Sequence, residues 1–186
     1  QAQISGTLDD ARRLLAEAGY PGGRGMAPIQ LLYNTSDNNK EIAEAVQEMW
    51  RANLGVQSDI VNEEWKVYID SQHTHNFQVQ RAGWIADYVD PHVFLEIWET
   101  NNGNNDTLWS NPEYDRLLGE SLRAGNDSDR YGIYQKMDAI LVDECPVIPI
   151  YYYTRPYLMS PRVKGYWPNL LDDHPVKYLY MEGPNQ

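Results

Sequence analysis

The spacing of apolar positions divides the chain into stretches of helical and of strand period. Leu8, Ala11, Leu14, Leu15 and Ala18 share one helical face. Thr7 stands before them as a cap, Asp9 and Asp10 fall in the first turn, and Gly19 follows the end, so a helix is predicted from Leu8 to Ala18. Past the break at Pro21-Gly-Gly-Arg-Gly25, the short apolar run Ile29–Tyr33 has strand length. Ile42, Ala45, Val46, Met49 and Trp50 then form the stripe of a longer helix from Asp37 to about Leu54, stopped by Gly55. Val56–Asn62 alternates as a second strand, Trp65–Gln72 fits a short helix, and Phe77–Arg81 alternates as a third strand. The alternation of helix and strand favours right-handed crossovers and parallel pairing.

Further along, Pro91 suits the first position of a helix reaching about Trp98. Asn101–Asp106 is a loop by composition. Asn111-Pro112 opens a helix to about Arg123. Asp127 or Ser128 caps another through about Val142, with Tyr131, Tyr134, Ile140 and Leu141 at its ring and apolar positions. Two helices joined by a short polar link pack antiparallel. Val147–Tyr153 reads as a strand that Pro149 assigns to a sheet edge. From Thr154 the pattern thins into Pro156, Pro161, Pro168 and Pro175, which sets residues 154–186 apart as a tail.

The third strand delivers Arg81-Ala-Gly-Trp84-Ile-Ala-Asp87-Tyr88-Val-Asp90-Pro91 at its C-terminal end, where open α/β sheets hold their ligands. A carboxylate between Trp84 and Tyr88 on such a loop is a candidate binding group. Asp87 could bind a ligand, act with Asp90 as a catalytic pair, or cap the next helix. Binding is preferred, because the sequence fixes no nucleophile or water-activating histidine nearby. Trp65 and Trp84, on strand-to-helix turns at one sheet end, are read as walls of a shared apolar pocket rather than as core.

Other chemistry is weaker. His73-Thr-His75 would put two imidazoles on one face of a strand, but no further ligand follows at a metal-site interval, so no metal is expected. The asparagine-rich loop lacks the spaced acids of a calcium loop. Gly22, Gly23 and Gly25 precede a strand and no Gly-Lys-Ser/Thr follows, so they mark a turn and not a phosphate cradle. Cys145, between Glu144 and Pro146, has no electropositive neighbour to activate it, and no nucleophile elbow is present. Neither an enzyme nor a cofactor is expected.

Composition narrows the ligand. Fourteen tyrosines and six tryptophans accompany only two phenylalanines, a bias toward rings with a polar tip that suits stacking and hydrogen bonding. A net charge of -12 argues against nucleic acid and favours a cationic or neutral partner. No apolar run approaches the roughly 20 residues of a membrane span. A chain of 186 residues is long enough for one domain, or one domain with an appended segment.

Five stretches carry a resemblance: Ala11–Tyr20, Leu31–Asp37, Val61-Asn-Glu-Glu-Trp65-Lys66, Arg81–Tyr88 and Val147–Tyr153. Through them the chain resembles the C-terminal part of the oligopeptide-binding proteins of bacterial ABC importers, the peptide and nickel type of extracytoplasmic solute-binding family 5. The resemblance implies an α/β fold, one lobe of a type II two-lobed clamp, with a mixed sheet flanked by helices. Residues 1–153 would be the ligand-binding lobe, and residues 154–186 a tail crossing back to a first lobe absent from this chain. Gln1 would then be a cut boundary. The implied location is periplasmic or extracytoplasmic, and the implied partners are an oligopeptide, the ABC permease subunits and that first lobe.

By the same resemblance Asp87 would pair with the peptide α-amino group, Trp65 and Trp84 would line side-chain pockets, and Tyr153 or a neighbouring tyrosine would line the site. Arg81 would steer a carboxylate or hold Asp87. Relatives carry basic residues for the peptide C-terminus where this chain has Asn39 and Gln72, while His73 keeps a potential donor beside Gln72. The alternatives are a peptide or glycan hydrolase using Asp87 and Asp90, or the same scaffold binding an oligosaccharide, a metal chelate or haem.

Overall fold

The computed structural model describes residues 6–154, 156–169 and 171–183, so the expected boundary at Gln1 lies outside the described residues. The chain divides into two compact units. One is Gln1–Gly83 with Gly103–Trp109, and the other is Trp84–Asn102 with Ser110–Gln186.

The first unit runs α1 (Leu8–Glu17), β1 (Ile29–Asn34), α2 (Asp37–Leu54), β2 (Ser58–Glu63), α3 (Trp65–His73) and β3 (Val79–Gln80). The strands form a parallel sheet in the order β2-β1-β3, in register from Ile29 opposite Ser58 to Asn34 opposite Glu63. Side chains alternate along a strand, so Leu31 and Tyr33 share a face and cluster with Ala43, Val46, Ile60 and Val79. Leu32 turns the other way and is also buried, as a central parallel strand requires. Because β2 and β3 flank β1 on opposite sides, right-handed crossovers carry α2 and α3 to opposite faces.

Local chemistry sets the helix ends. Thr7 and Asp10 form a reciprocal capping box: the Asp10 N–H donates to the Thr7 hydroxyl at 3.2 Å, and the Thr7 N–H donates to the Asp10 carboxylate at 2.9 Å. Gly55 ends α2 in the left-handed region, at φ 70°. The turn at Gly22 and Gly23 lies directly on that end. A Cβ on Gly23 would come 2.3 Å from the Gly55 carbonyl oxygen, and one on Gly55 would come 2.3 Å from the Gly22 carbonyl oxygen. Two chain breaks far apart in sequence thus form one backbone contact.

The buried stripe of α2 differs from the expected one. Asn39 and Ala43 are its buried residues, while Met49 is 61% exposed and Ala45 also faces out. The row that meets the sheet is the one nearest Leu31 and Tyr33, and Met49 lies outside it. The apolar face of α1 is likewise not buried among the described residues.

The second unit opens with two 3₁₀ turns, Pro91–Phe94 and Glu96–Trp98, in place of the continuous helix expected there. The Asp90 carboxylate accepts from the His92 N–H at 2.8 Å and tightens the first turn, and Leu95, at φ -105°, interrupts the run. Helices α4 (Pro112–Ser121) and α5 (Asp127–Glu144) follow, capped by Asn111 and by Asn126, one residue ahead of the expected cap. Asn111 Nδ2 donates to Glu144 Oε1 at 2.5 Å, which joins the start of α4 to the end of α5, as in an antiparallel pair. Tyr114, Leu117, Leu118, Tyr134, Met137 and Leu141 form the buried hydrophobic set on the two helices.

Val147–Tyr153 is not a strand. Pro149 has no N–H to donate, no described strand pairs with the segment, and Ile148, Ile150 and Tyr151 to Tyr153 stay exposed. Among the described residues, the strands of this unit are instead an unanticipated antiparallel pair, β4 (Val163–Lys164) and β5 (Tyr180–Met181).

Candidate ligand-binding site

In the first unit, the connections from β1 and β2 leave toward opposite faces. The carboxyl ends of those two strands therefore mark the position where open α/β sheets hold ligands. Thr35 closes it from β1, its N–H donating to the Glu63 carbonyl at 2.8 Å and its hydroxyl to Asn62 Oδ1 at 3.1 Å. Trp65, the first residue of α3, stands just beyond β2. Glu64 caps that helix through the Lys66 N–H at 2.9 Å, which fixes where Trp65 begins. The indole is 58% exposed and stacks on Tyr68 with ring centres 5.8 Å apart. Tyr68 is buried and donates to the Arg81 carbonyl at 2.8 Å, tying α3 to the chain leaving β3. Burial pushes its phenol up to about 12.

Arg81 extends the β1–β3 ladder, its N–H donating to the Leu32 carbonyl at 2.8 Å, and its side chain is half-buried. His73 is the exposed last residue of α3. It does not share a strand face with His75, which takes a left-handed turn conformation with Nδ1 3.0 Å from the Asp106 carbonyl oxygen. Gln72 donates to the Asp106 carboxylate. Asn39 turns inward and donates to both Asn34 oxygens, at 3.2 and 2.9 Å, so it braces the strand end.

The second unit begins at Trp84, inside the motif singled out from the sequence. Trp84 is 38% exposed, Ala86 is buried, and Asp87 is exposed with no hydrogen bond or ion pair among the described residues. The residues on its C-terminal side are engaged. The Tyr88 hydroxyl donates to Glu96 Oε1 at 2.7 Å, and burial, followed by that bond, raises its pKa well above the ordinary phenol value. Asp90 receives Arg130 through two hydrogen bonds of 2.8 Å, one to each carboxylate oxygen. Burial acts to raise its pKa, but the His92 N–H and the Arg130 guanidinium outweigh that and hold the carboxyl below its usual range. Tyr153 is exposed, its ring centre 6.3 Å from that of Tyr151.

The sequence reading missed the partners that hold the Asp87 loop. His92 is buried, with Nε2 3.5 Å from Glu96 Oε2 and Nδ1 3.4 Å from the Tyr134 hydroxyl. Arg130 lies 5.2 Å over the Tyr134 ring. Among the described residues no group of three or more His, Cys, Asp and Glu could hold a metal ion, and no helix is long and apolar enough to cross a membrane.

The chain is similar to the oligopeptide-binding protein OppA of Bacillus subtilis, 43% identical over 152 residues that make up 81% of this chain and 28% of the relative. Among solved structures it is similar to a periplasmic oligopeptide-binding protein from Borrelia burgdorferi, with a TM-score of 0.87 and 33% identity over 98% of this chain and 37% of that one. It is also similar to Haemophilus influenzae OppA in complex with RPPGFSPFR, with a TM-score of 0.83 and 37% identity over 94% of this chain and 34% of that one. The chain spans under a third of the length of the curated OppA relatives it matches in Bacillus subtilis, Salmonella typhimurium and Escherichia coli. Residues 2–106 match the profile of the bacterial extracellular solute-binding proteins, family 5 Middle. The chain belongs to that family of solute-binding proteins.

Proposed function

We propose that this chain is the amine-anchoring part of an extracytoplasmic protein that binds oligopeptides and delivers them to an ABC importer. The observation that carries the reading is Asp87, an exposed carboxylate with no partner among the described residues, set between buried Ala86 and hydrogen-bonded Tyr88. An ammonium leaving water needs an opposite charge held in place, and a peptide's free amine is the cation every such ligand carries. Trp65 and Trp84 offer exposed indole faces to side chains, and Tyr153 a further ring. Arg81 and His73 stand as donors for a ligand carboxylate.

Binding rather than turnover is favoured by the state of Asp90. Its two oxygens are taken by Arg130 and the His92 N–H, and its carboxyl is held ionised, so it is a poor general acid for a pair with Asp87. The relatives reported above are named for oligopeptide binding, and H. influenzae OppA is solved in complex with RPPGFSPFR, which supports a peptide ligand.

Calorimetric titration of the full-length protein tests it. Asp87→Asn should weaken binding of a free-amine peptide by about tenfold or more, equivalent to roughly 1.4 kcal/mol. It should leave the N-acetylated peptide nearly unaffected. Equal binding of free and acetylated peptides by the unaltered protein, or cleavage of bound peptide that Asp87→Asn abolishes while sparing affinity, would defeat the proposal.

A further inference from the structure

Residues 84–90 contain neither helix nor strand, yet the loop is fastened on both sides of Asp87. Ala86 is buried on one side. On the other, the Asp90 N–H closes a tight turn onto the Tyr88 carbonyl at 3.0 Å. Asp87 makes no bond of its own among the described residues, so its flanks alone decide where its carboxylate points.

Those flanks lead to one side chain. Arg130 lies in the first turns of α5, an 18-residue helix that buries Tyr134, Met137 and Leu141. Its guanidinium grips Asp90 through both oxygens and covers the Tyr134 ring. The Tyr134 hydroxyl faces His92, His92 faces Glu96, and Glu96 receives the Tyr88 hydroxyl. The circuit therefore starts and ends on the two residues that bracket Val89, directly after Asp87. A planar fork engaged at two points fixes orientation as well as distance, which a point charge cannot do.

Resting on the reading of Asp87 as an amine anchor, we infer that Arg130 is its positioning residue: by locking Asp90 to α5 it aims the Asp87 carboxylate while keeping its own positive charge occupied elsewhere. The second half of this role is electrostatic. Were Asp90 neutral, the Arg130 charge would lose its partner three residues from Asp87 in sequence and would oppose the ligand ammonium there.

Positioning and simple electrostatics predict opposite signs. Removing a positive charge near an ammonium site should tighten ammonium binding if charge alone matters, whereas loss of alignment should weaken it.

The experiment is calorimetric titration of the full-length protein with tri-, tetra- and penta-alanine, each with a free and with an acetylated amine. The readout is the ratio of the two affinities. Arg130→Gln should lower the ratio by about tenfold with the acetylated affinity unchanged, and Arg130→Lys should restore part of it because an ammonium can still reach Asp90. Asp90→Asn, which keeps the acceptor for the His92 N–H, should lower the ratio as well and serves if Arg130→Gln does not fold. An unchanged or increased ratio, or equal weakening of both peptide forms, would overturn the assignment. If the unaltered protein shows no preference for the free amine, the anchor reading itself fails, a result visible before any Arg130 variant is made.

Discussion

At Gly55 a single hydrogen atom decides whether two turns can meet. The residue holds φ at 70°, and a methyl there would sit 2.3 Å from the Gly22 carbonyl oxygen, which is backbone and cannot swing away. Gly55→Ala therefore combines a left-handed conformation with a collision, and we expect it to cost roughly 2 kcal/mol or more, read from urea unfolding midpoints. Asp87 presents the contrary case, a side chain defined by what it lacks. Its exposure between two aromatic residues was legible, because loop position, flanking rings and net charge are all local or global properties of the sequence. Its support was not. Arg130 reaches Asp90 across 40 residues, and neither residue has a neighbour that announces the other. Asp90 read as the start of the next helix, and it does cap a turn, but its two oxygens also hold the guanidinium.

Elements with local determinants were read closely. Both long helices, α2 and α5, start within a residue of expectation, and α2 ends where Gly55 requires. The parallel pairing follows from crossovers of helix length, whereas the order β2-β1-β3, with β1 central, is not set by them. Val147–Tyr153 failed for a nonlocal reason: its β-branched and aromatic residues favour extended chain, but a strand exists only with a partner, and the described residues supply none. The β4–β5 pairing was missed for the same reason, since its pieces are too short to carry a period. The caps allow a paired test. Asn126 accepts from the Asp129 N–H at 2.9 Å, whereas the Ser36 side chain makes no capping bond. Asn126→Ala should cost about 1 kcal/mol and Ser36→Ala only a few tenths, measured as shifts in chemical unfolding midpoint.

For the molecule as a whole, acid is the informative perturbation. The Asp90 carboxyl is depressed in the folded state, so its contribution is complete above the unfolded value of about 3.9 and is lost as pH falls through the folded value. Asp10, Glu48 and Glu113 are depressed too, each chiefly by a side-chain hydrogen bond, and act in the same direction. Stability should therefore decline below about pH 4, and Asp90→Asn should flatten part of that slope in urea titrations run across the acid range. The segment Val147–Tyr153, which joins no described strand, has a consequence for how the chain behaves in a test tube. Ile148, Ile150 and Tyr151 to Tyr153 are solvent-exposed, and an exposed run rich in β-branched and aromatic residues is the kind of sequence on which copies of a chain stack. Pro149 interrupts it and Pro146 flanks it, each lacking an amide N–H that a neighbouring copy would need, so the proline that spoils the strand also acts as a gatekeeper against polymerisation through it.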